Sequence, residues 1–437
     1  MSGQSMSFGA ELRRFRMAAG LSLAELAKAV HYTKGYLSKV ENSDKPPNPI
    51  LARLCDATLG ADGALMALLP QESQTLGEPR AEKWMLDIAA DGTGRPVPAT
   101  HPLCCHDNPL PVDPRRDLAA TAGDDLTVEH YRARFNASVR YGESVSSRAV
   151  LPGVSADANM LWSMALVAPA RTKPALLTLA TLNATYTGWL AVETDDHQAA
   201  QRWSRTAVGL AEIVGDPNLI AYSLTREAGV AVFRDDPVYI LALTDRIRSE
   251  PGVATRFRRI AADREAQGHA LLGNYDLCRR ALDRSTELSH EPDTPTMFDG
   301  VVLPPMAAAG PHVVGVISGW CLHNLGRPTA AVEVLDQEIS GISSTHRRAT
   351  ARFGARRVLA HAAAGEVDHA CKLAHELLDI AQIVDSATVR REFRELARTL
   401  ARWHRHKSVV ELQPRLTAVL RPPGSPGHQP TKDPRKR

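Results

Sequence analysis

Apolar residues recur at helical spacing along most of this chain, in two blocks separated by a stretch without period. In the first block, FGAELRRFRMAA places Leu12 and Phe15 on one face with Arg13, Arg14 and Arg16 around the others, and the run stops at Gly20. Leu23 to Val30 and Thr33 to Glu41 follow as short amphipathic helices, then Ile50 to Leu59 and Gly63 to Leu69, so residues 1–70 are expected to form a five-helix unit. Ser22 can cap the second helix by accepting a free first-turn N–H, with Glu25 completing a capping box, and Thr33 can cap the third. The corner between these two helices carries His31 and Tyr32 where glycine would be the easy choice. If that corner is left-handed, histidine is tolerated at a cost of about 1 kcal/mol against glycine.

Residues 71–125 break the pattern. DGTGRPVPATHPLCCHDNPLPVDP is rich in Pro, Gly and Asp and reads as a linker or irregular strap, while EKWMLDI before it fits a short strand or a helix equally. From 126 to 420 helical periodicity returns, with internal similarity. LLGNYDLCRRAL, NLGRPTAAVEVL and AAGEVDHACKLA each place a glycine at a corner (Gly273, Gly326, Gly365), a small residue five positions later (Cys278, Ala331, Ala370) and an apolar or small one four further on (Leu282, Leu335, Ala374). ETDDHQAAQRW, with Ala199 and Trp203, is a weaker copy, and Asp235–Asp236 marks another. These corners resemble the tetratricopeptide repeat, in which glycine turns the chain and small residues let two helices approach. The resemblance implies an α-solenoid of degenerate helix pairs whose inner face is a binding surface. The fold class expected for the whole chain is therefore all-α, which a composition rich in Ala, Leu and Arg with 5% aromatics also favours.

Net charge is only +3, but it is uneven: +2 over the first 70 residues (8 basic, 6 acidic), +4 from Arg421 onward (5 basic, 1 acidic) and −3 between. The two ends suit polyanions and the middle does not. The tail from 421 to 437 is proline-rich and basic and is expected to be disordered. The N-terminal residues lack the apolar core of a signal peptide, and the run 301–322 carries prolines and glycines that argue against a membrane span, so a cytoplasmic, nucleoid-associated protein with reduced thiols is expected. HPLCCHD lacks zinc-site spacing, Cys278 and Cys371 read as packing residues, and His269 and His361 align at one point of their helices and are expected to flank the packing seam. No phosphate loop, nucleophile elbow or paired catalytic carboxylates stand out, so no enzyme activity, metal or cofactor is expected.

LRRFRMAAGLSLAELAKAVHYTKGYLSKVEN, a Pro-bearing loop and LARLCDATL resemble the Cro/C1-type (XRE) helix-turn-helix family. Leu26, Ala27, Leu37 and Val40 would pack the second and third helices against the first, leaving Lys34, Gly35, Ser38 and Lys39 outward. The resemblance implies that the third helix enters the DNA major groove and that Lys34 and Lys39 reach base edges or phosphates. It gives Gly35 a reading position without a side chain, and makes Tyr36, Arg16, Ser22, Thr33, Ser38 and Asn42 candidates for further contacts, chiefly to phosphate. Arg16 and Glu41 match a structural ion pair of the family. The implied partners are double-stranded operator DNA and a second copy of the chain, with half-sites about 10 bp apart or a multiple of that. A peptide, protein or small-molecule effector on the repeat domain is also implied, as in regulators common in high-GC bacteria. A repeat scaffold with a vestigial DNA-binding unit and a peptide-responsive regulator are the alternatives.

Overall fold

Caps set the N-terminal elements. Ser7 caps α1 (Phe8–Ala18), Ser22 and Glu25 form both bonds of the capping box of α2 (Leu23–Ala29), Thr33 caps α3 (Lys34–Glu41), and Asn48 caps α4 (Pro49–Leu59), which opens on a proline and closes on left-handed Gly60. Leu12, Leu26, Val30, Leu37, Leu51 and Leu65 are fully buried between these helices. A fifth helix does not form. Asp62 and Gly63 take left-handed backbone, and the Asp56 carboxylate accepts from the Leu65 and Met66 N–H groups at 2.9 and 3.0 Å, which fixes turns and a single 3-10 turn over Met66–Leu68.

The computed structural model describes residues 7–69, 84–88, 94–98, 121–292, 298, 301, 303, 312–339 and 347–421. The Cys104–Cys105 motif and the basic tail beyond Arg421 lie outside them. Apart from one antiparallel hairpin, β1 (Trp84–Ile88) with β2 (Gly94–Pro98), the described chain is helical, and WMLDI is thereby a strand.

After α5 (Asp125–Gly142) and α6 (Ser147–Val167) the helices alternate between an inner and an outer layer. The inner helices are α7 (Lys173–Glu193), α9 (Pro217–Val232), α11 (Thr255–Leu271), α13 (His312–Asn324), α15 (Arg347–Ala363) and α17 (Ala387–Leu400). Each is followed by an outer helix: α8 (His197–Val214), α10 (Pro237–Ser249), α12 (Tyr275–Ser289), α14 (Pro328–Ile339), α16 (Val367–Val384) and α18 (Lys407–Leu420). Helix α7 is apolar or small on nearly every side and buried almost continuously from Leu176 to Glu193, whereas α11, α15 and α17 also bury charged side chains. The threonines of α7 survive burial because Thr178, Thr181, Thr185 and Thr187 donate to the carbonyl four residues back. The outer helices bury a stripe; α8 buries Ala200, Ser204, Ala207, Val208 and Ala211. Glycines admit the partner's side chains: a Cβ on Gly319 would lie 2.5 Å from Leu335 Cγ, and one on Gly354 2.6 Å from Leu377 Cδ1.

Five inner-to-outer corners share one hydrogen-bonding plan. A left-handed residue (Asp195, Asp235, Gly273, Gly326, Gly365) is followed by an N–H that donates to the carbonyl five residues back, as in Asn274 to His269 and Glu366 to His361. The weaker copies in the sequence thus have the same geometry, with aspartate where glycine stands elsewhere. Cys278, Cys321 and Cys371 are buried in the helix seams. His361 is buried, its ring between Glu366 at 2.6 Å and Asp336 at 3.0 Å, whereas His269 flanks the seam beside Glu265. Helix α6 is long and apolar enough to cross a membrane by length and composition; here it packs along α7.

The inner layer closes on itself. Helix α17 returns to α7, where the fully buried Glu193 accepts from Arg348 Nη1 at 2.9 Å and Thr388 Oγ1 at 2.8 Å. Arg391 donates to Phe233 O and pairs with Asp235, both at 2.6 Å, tying α17 to the α9–α10 corner. An open concave face was the expectation; the residues that would line it are instead the wall of an enclosed, partly charged interior.

Candidate nucleic-acid interface

The α2–α3 corner is held from both sides. Val30 N–H donates to Leu26 O and Tyr32 N–H to Ala27 O, and His31 sits between them at φ +55°, the left-handed conformation anticipated for it. Thr33 Oγ1 then accepts from Tyr36 N–H at 3.2 Å, launching α3 with its N-terminus at the corner. Leu37 and Val40 turn inward, leaving Lys34, Gly35 and Lys39 exposed and Ser38 half-buried. A Cβ on Gly35 would meet nothing within 4 Å, so this glycine fills no packing requirement and presents bare helix surface. Ser22, Thr33 and Asn42 are exposed at the ends of α2 and α3, with the Ser22 and Thr33 hydroxyls already accepting cap hydrogen bonds.

Arg16 and Glu41 form a buried, bidentate pair: Nε to Oε1 at 2.6 Å and Nη2 to Oε2 at 2.9 Å, with side chains 10% and 6% exposed. Nη1 donates to Leu21 O at 2.9 Å. With its donors engaged inside the domain, Arg16 braces α1 against the end of α3 rather than facing a phosphate. Tyr36 is half-buried. Its hydroxyl accepts from Asn48 Nδ2 at 3.4 Å, its ring tilts against Tyr32 at 5.2 Å, and Lys45 Nζ lies 4.7 Å over it. Asn48 and Lys45 were missed in the sequence. Asn48 could have been found as an N-cap before a helix-opening proline; Lys45, exposed just beyond α3, adds a cation to the side defined by Lys34 and Lys39.

The unit does not stand free of the helical ring. Arg402, in the turn between α17 and α18, donates to His31 O at 3.0 Å and lies 4.8 Å over the Tyr32 ring, and the His31 ring rests against Gly365. A side chain on Gly326 would collide with the Arg53 carbonyl of α4, and one on Gly63 with the Leu272 carbonyl. Gly273 and Gly326 therefore serve twice, once for the turn and once as seats where backbone meets backbone, while Gly365 meets the His31 ring. Between α4 and these corners lies a cleft lined by Arg53, Asp56, Asp62, Gly273, Tyr275 and Arg327, with the Arg327 guanidinium 4.1 Å over the Tyr275 ring. His323 at this junction is pushed down to about 4, by burial first and then by Arg53 and Arg356. Docking uses the α2–α3 corner, α4 and the turn after it; the Lys34, Gly35 and Lys39 surface of α3 stays exposed.

Capped helices at this spacing, an inward α2–α3 seam and an outward α3 define a helix-turn-helix. Residues 7–69 match the family model described as a helix-turn-helix domain. No curated protein matches the chain. The N-terminal unit is a helix-turn-helix DNA-binding domain, and the match supports DNA as its partner.

Proposed function

We propose that the chain is a sequence-specific transcriptional regulator of the Cro/C1 type, acting in the cytoplasm on chromosomal DNA without enzymatic activity. Lys34 and Lys39 read bases in the major groove, Gly35 relaxes readout at its position, and Ser22, Thr33, Ser38 and Asn42 fix register on phosphates. Tyr36, tied to Asn48, shapes the rim of that surface. The helical domain, read as degenerate tetratricopeptide-like pairs, carries dimerisation and effector response. A single domain of this size makes few contacts, and pairing two of them supplies both affinity and half-site spacing.

The observation that carries this reading is the division of labour over the small domain. The contacts that brace or dock it, from Arg16–Glu41 to the Gly326 seat, leave Lys34 and Lys39 of α3 exposed. A helix-turn-helix seated on the corners of the helical ring can be moved by whatever shifts those corners, which is the coupling a regulator requires. Genome-wide footprinting of the tagged chain tests it. The expected result is a discrete set of promoter sites made of paired half-sites about 10 bp apart or a multiple of that. Uniform, sequence-independent occupancy would defeat it and favour a scaffold with vestigial DNA binding.

A further inference from the structure

The interior of the helical ring holds more guanidinium than carboxylate. Arg226 on α9, Arg264 on α11, and Arg352 and Arg356 on α15 are 7%, 4%, 5% and 3% exposed. Most nearby carboxylates are committed elsewhere: Glu193 to Arg348 and Thr388, Asp263 to Arg259 and Ser285, and Glu227 to Tyr239. Glu143, which feels Arg348 and Arg352, is pushed up to about 7 by burial, so it is a weak counter-charge at neutral pH. Arg356 has Glu392 at 3.3 Å, and Arg264 has only the neutral Gln267, at 2.6 Å. Arg226 and Arg352 have aromatic faces, both lying over Trp189, at 5.2 and 4.7 Å, with Phe233 also 5.1 Å from Arg352. Among the described residues, Nε and Nη2 of Arg226, Nε of Arg264, Nε of Arg352 and Nη1 of Arg356 are buried donors without an acceptor.

The fold makes room for these groups. The Arg264 guanidinium lies on α9 where Gly229 has no side chain; a Cβ there would sit 3.2 Å from Nη2. Burial and the neighbouring guanidiniums pull Arg264 down to about 10 and lower Arg352 and Arg356 in the same direction. Buried cations without counter-charge are strongly unfavourable, and in proteins they are paired. Three forks with no carboxylate within hydrogen-bonding distance, on three neighbouring inner helices, ask for an anion with several oxygens and more than one charge. A monocarboxylate would satisfy one fork; a tetrahedral oxyanion can accept from several. The aromatic faces meanwhile hold the guanidinium planes in place.

We propose that Arg226, Arg264, Arg352 and Arg356 form a binding site for a phosphate-class oxyanion, either free phosphate or the phosphate of a small ester. The proposal deepens the reading of the helical domain as the effector-binding part, and it rests on that reading. His323, at the seat of the DNA-binding domain, feels both Arg356 and Arg53, so charge added at this cluster is within reach of the docking surface.

The test is calorimetric titration of the full chain, without DNA, in chloride buffer of fixed ionic strength, with inorganic phosphate in one arm and glycerol 3-phosphate in the other. Saturable 1:1 binding of either is expected, and the arm that binds tighter identifies the source. Arg226→Met with Arg352→Met should weaken it at least tenfold while leaving the melting temperature of the phosphate-free protein unchanged or higher, since like-charge repulsion is relieved. Lys34→Gln with Lys39→Gln should leave phosphate binding unchanged, which excludes the DNA-reading surface as the site. Absence of saturable binding in both arms, equal affinity in the double arginine variant, or loss in the lysine variant would overturn the proposal. Should the double arginine variant not fold, Arg226→Lys keeps the charge and loses the fork; unchanged affinity there overturns it as well. Because DNA is absent, failure here leaves the operator reading standing, and failure of footprinting leaves this result standing.

Discussion

Glu41→Ala is the most informative single change in the DNA-binding domain. In the wild type Glu41 neutralises a guanidinium that is 10% exposed, through two bonds of 2.6 and 2.9 Å, and only the Nη1 bonds, to Leu21 O and to Met17 Sδ, would survive its removal. Breaking a buried pair by deleting one partner costs about 3–5 kcal/mol, because the other charge stays buried. The surviving Leu21 bond places this case at the lower end, about 3 kcal/mol, a change of roughly a hundredfold in the local opening equilibrium. Replacing both partners by apolar residues of similar volume, Arg16→Met with Glu41→Leu, should return stability to within about 1 kcal/mol of wild type. The assay is native-state hydrogen exchange over residues 7–69, which isolates opening of this domain from that of the helical ring. Glu11→Ala is the comparison, since its partner Arg14 is 59% exposed at 2.8 Å and solvent screening leaves that pair contributing little. Equal effects of Glu41→Ala and Glu11→Ala on exchange would refute the bracing role assigned to Arg16–Glu41.

Other expected outcomes concern how the domain is seated. Gly326→Ala forces a left-handed alanine and an overlap with the Arg53 carbonyl, so exchange in α4 should accelerate by an amount equivalent to about 2–4 kcal/mol, with the far end of the ring unaffected. His323 is neutral when docked, with a pKa of about 4 against 6.5 when free, so the undocked or unfolded chain binds the extra proton between those values. Stability should therefore be fully present above pH 6.5 and fall by up to about 3 kcal/mol as pH drops toward 4. His323→Gln should flatten that profile in thermal melts. His31→Gly keeps the carbonyl that Arg402 uses and removes a left-handed side chain, so melting temperature should rise by the equivalent of less than about 1 kcal/mol; a fall would mean that the ring's contact with Gly365 outweighs the backbone strain.

What was legible in the sequence was local. Ser22–Glu25, Thr33 and the stop at Gly20 fix helix ends through local bonds, and such signals are readable without knowing the fold. The corners at Gly273, Gly326 and Gly365 were legible for the same reason, and those at Asp195 and Asp235 less so, because aspartate adopts the turn without announcing it. Gly63 to Leu69 looked helical because apolar spacing is blind to the Asp56 carboxylate that captures the Leu65 and Met66 N–H groups. Closure of the ring through Glu193, the arginines gathered inside it and the seating of Arg53 on Gly326 join residues from different helices far apart in sequence, and no periodicity encodes them. Nothing in the local spacing of the arginines within α9, α11 and α15 marks them as interior; only the closed inner layer makes them so.

The central claim is that the exposed lysines of α3 read DNA. Fluorescence anisotropy titrations of the full chain on a footprinted operator, over a range of salt, test it most directly when wild type is compared with Lys34→Ala plus Lys39→Ala. The double variant is expected to lose at least about thirtyfold in operator affinity, at roughly 1–3 kcal/mol per base contact, and to discriminate poorly between operator and scrambled duplex. Unchanged operator affinity with an unchanged salt slope would contradict the account.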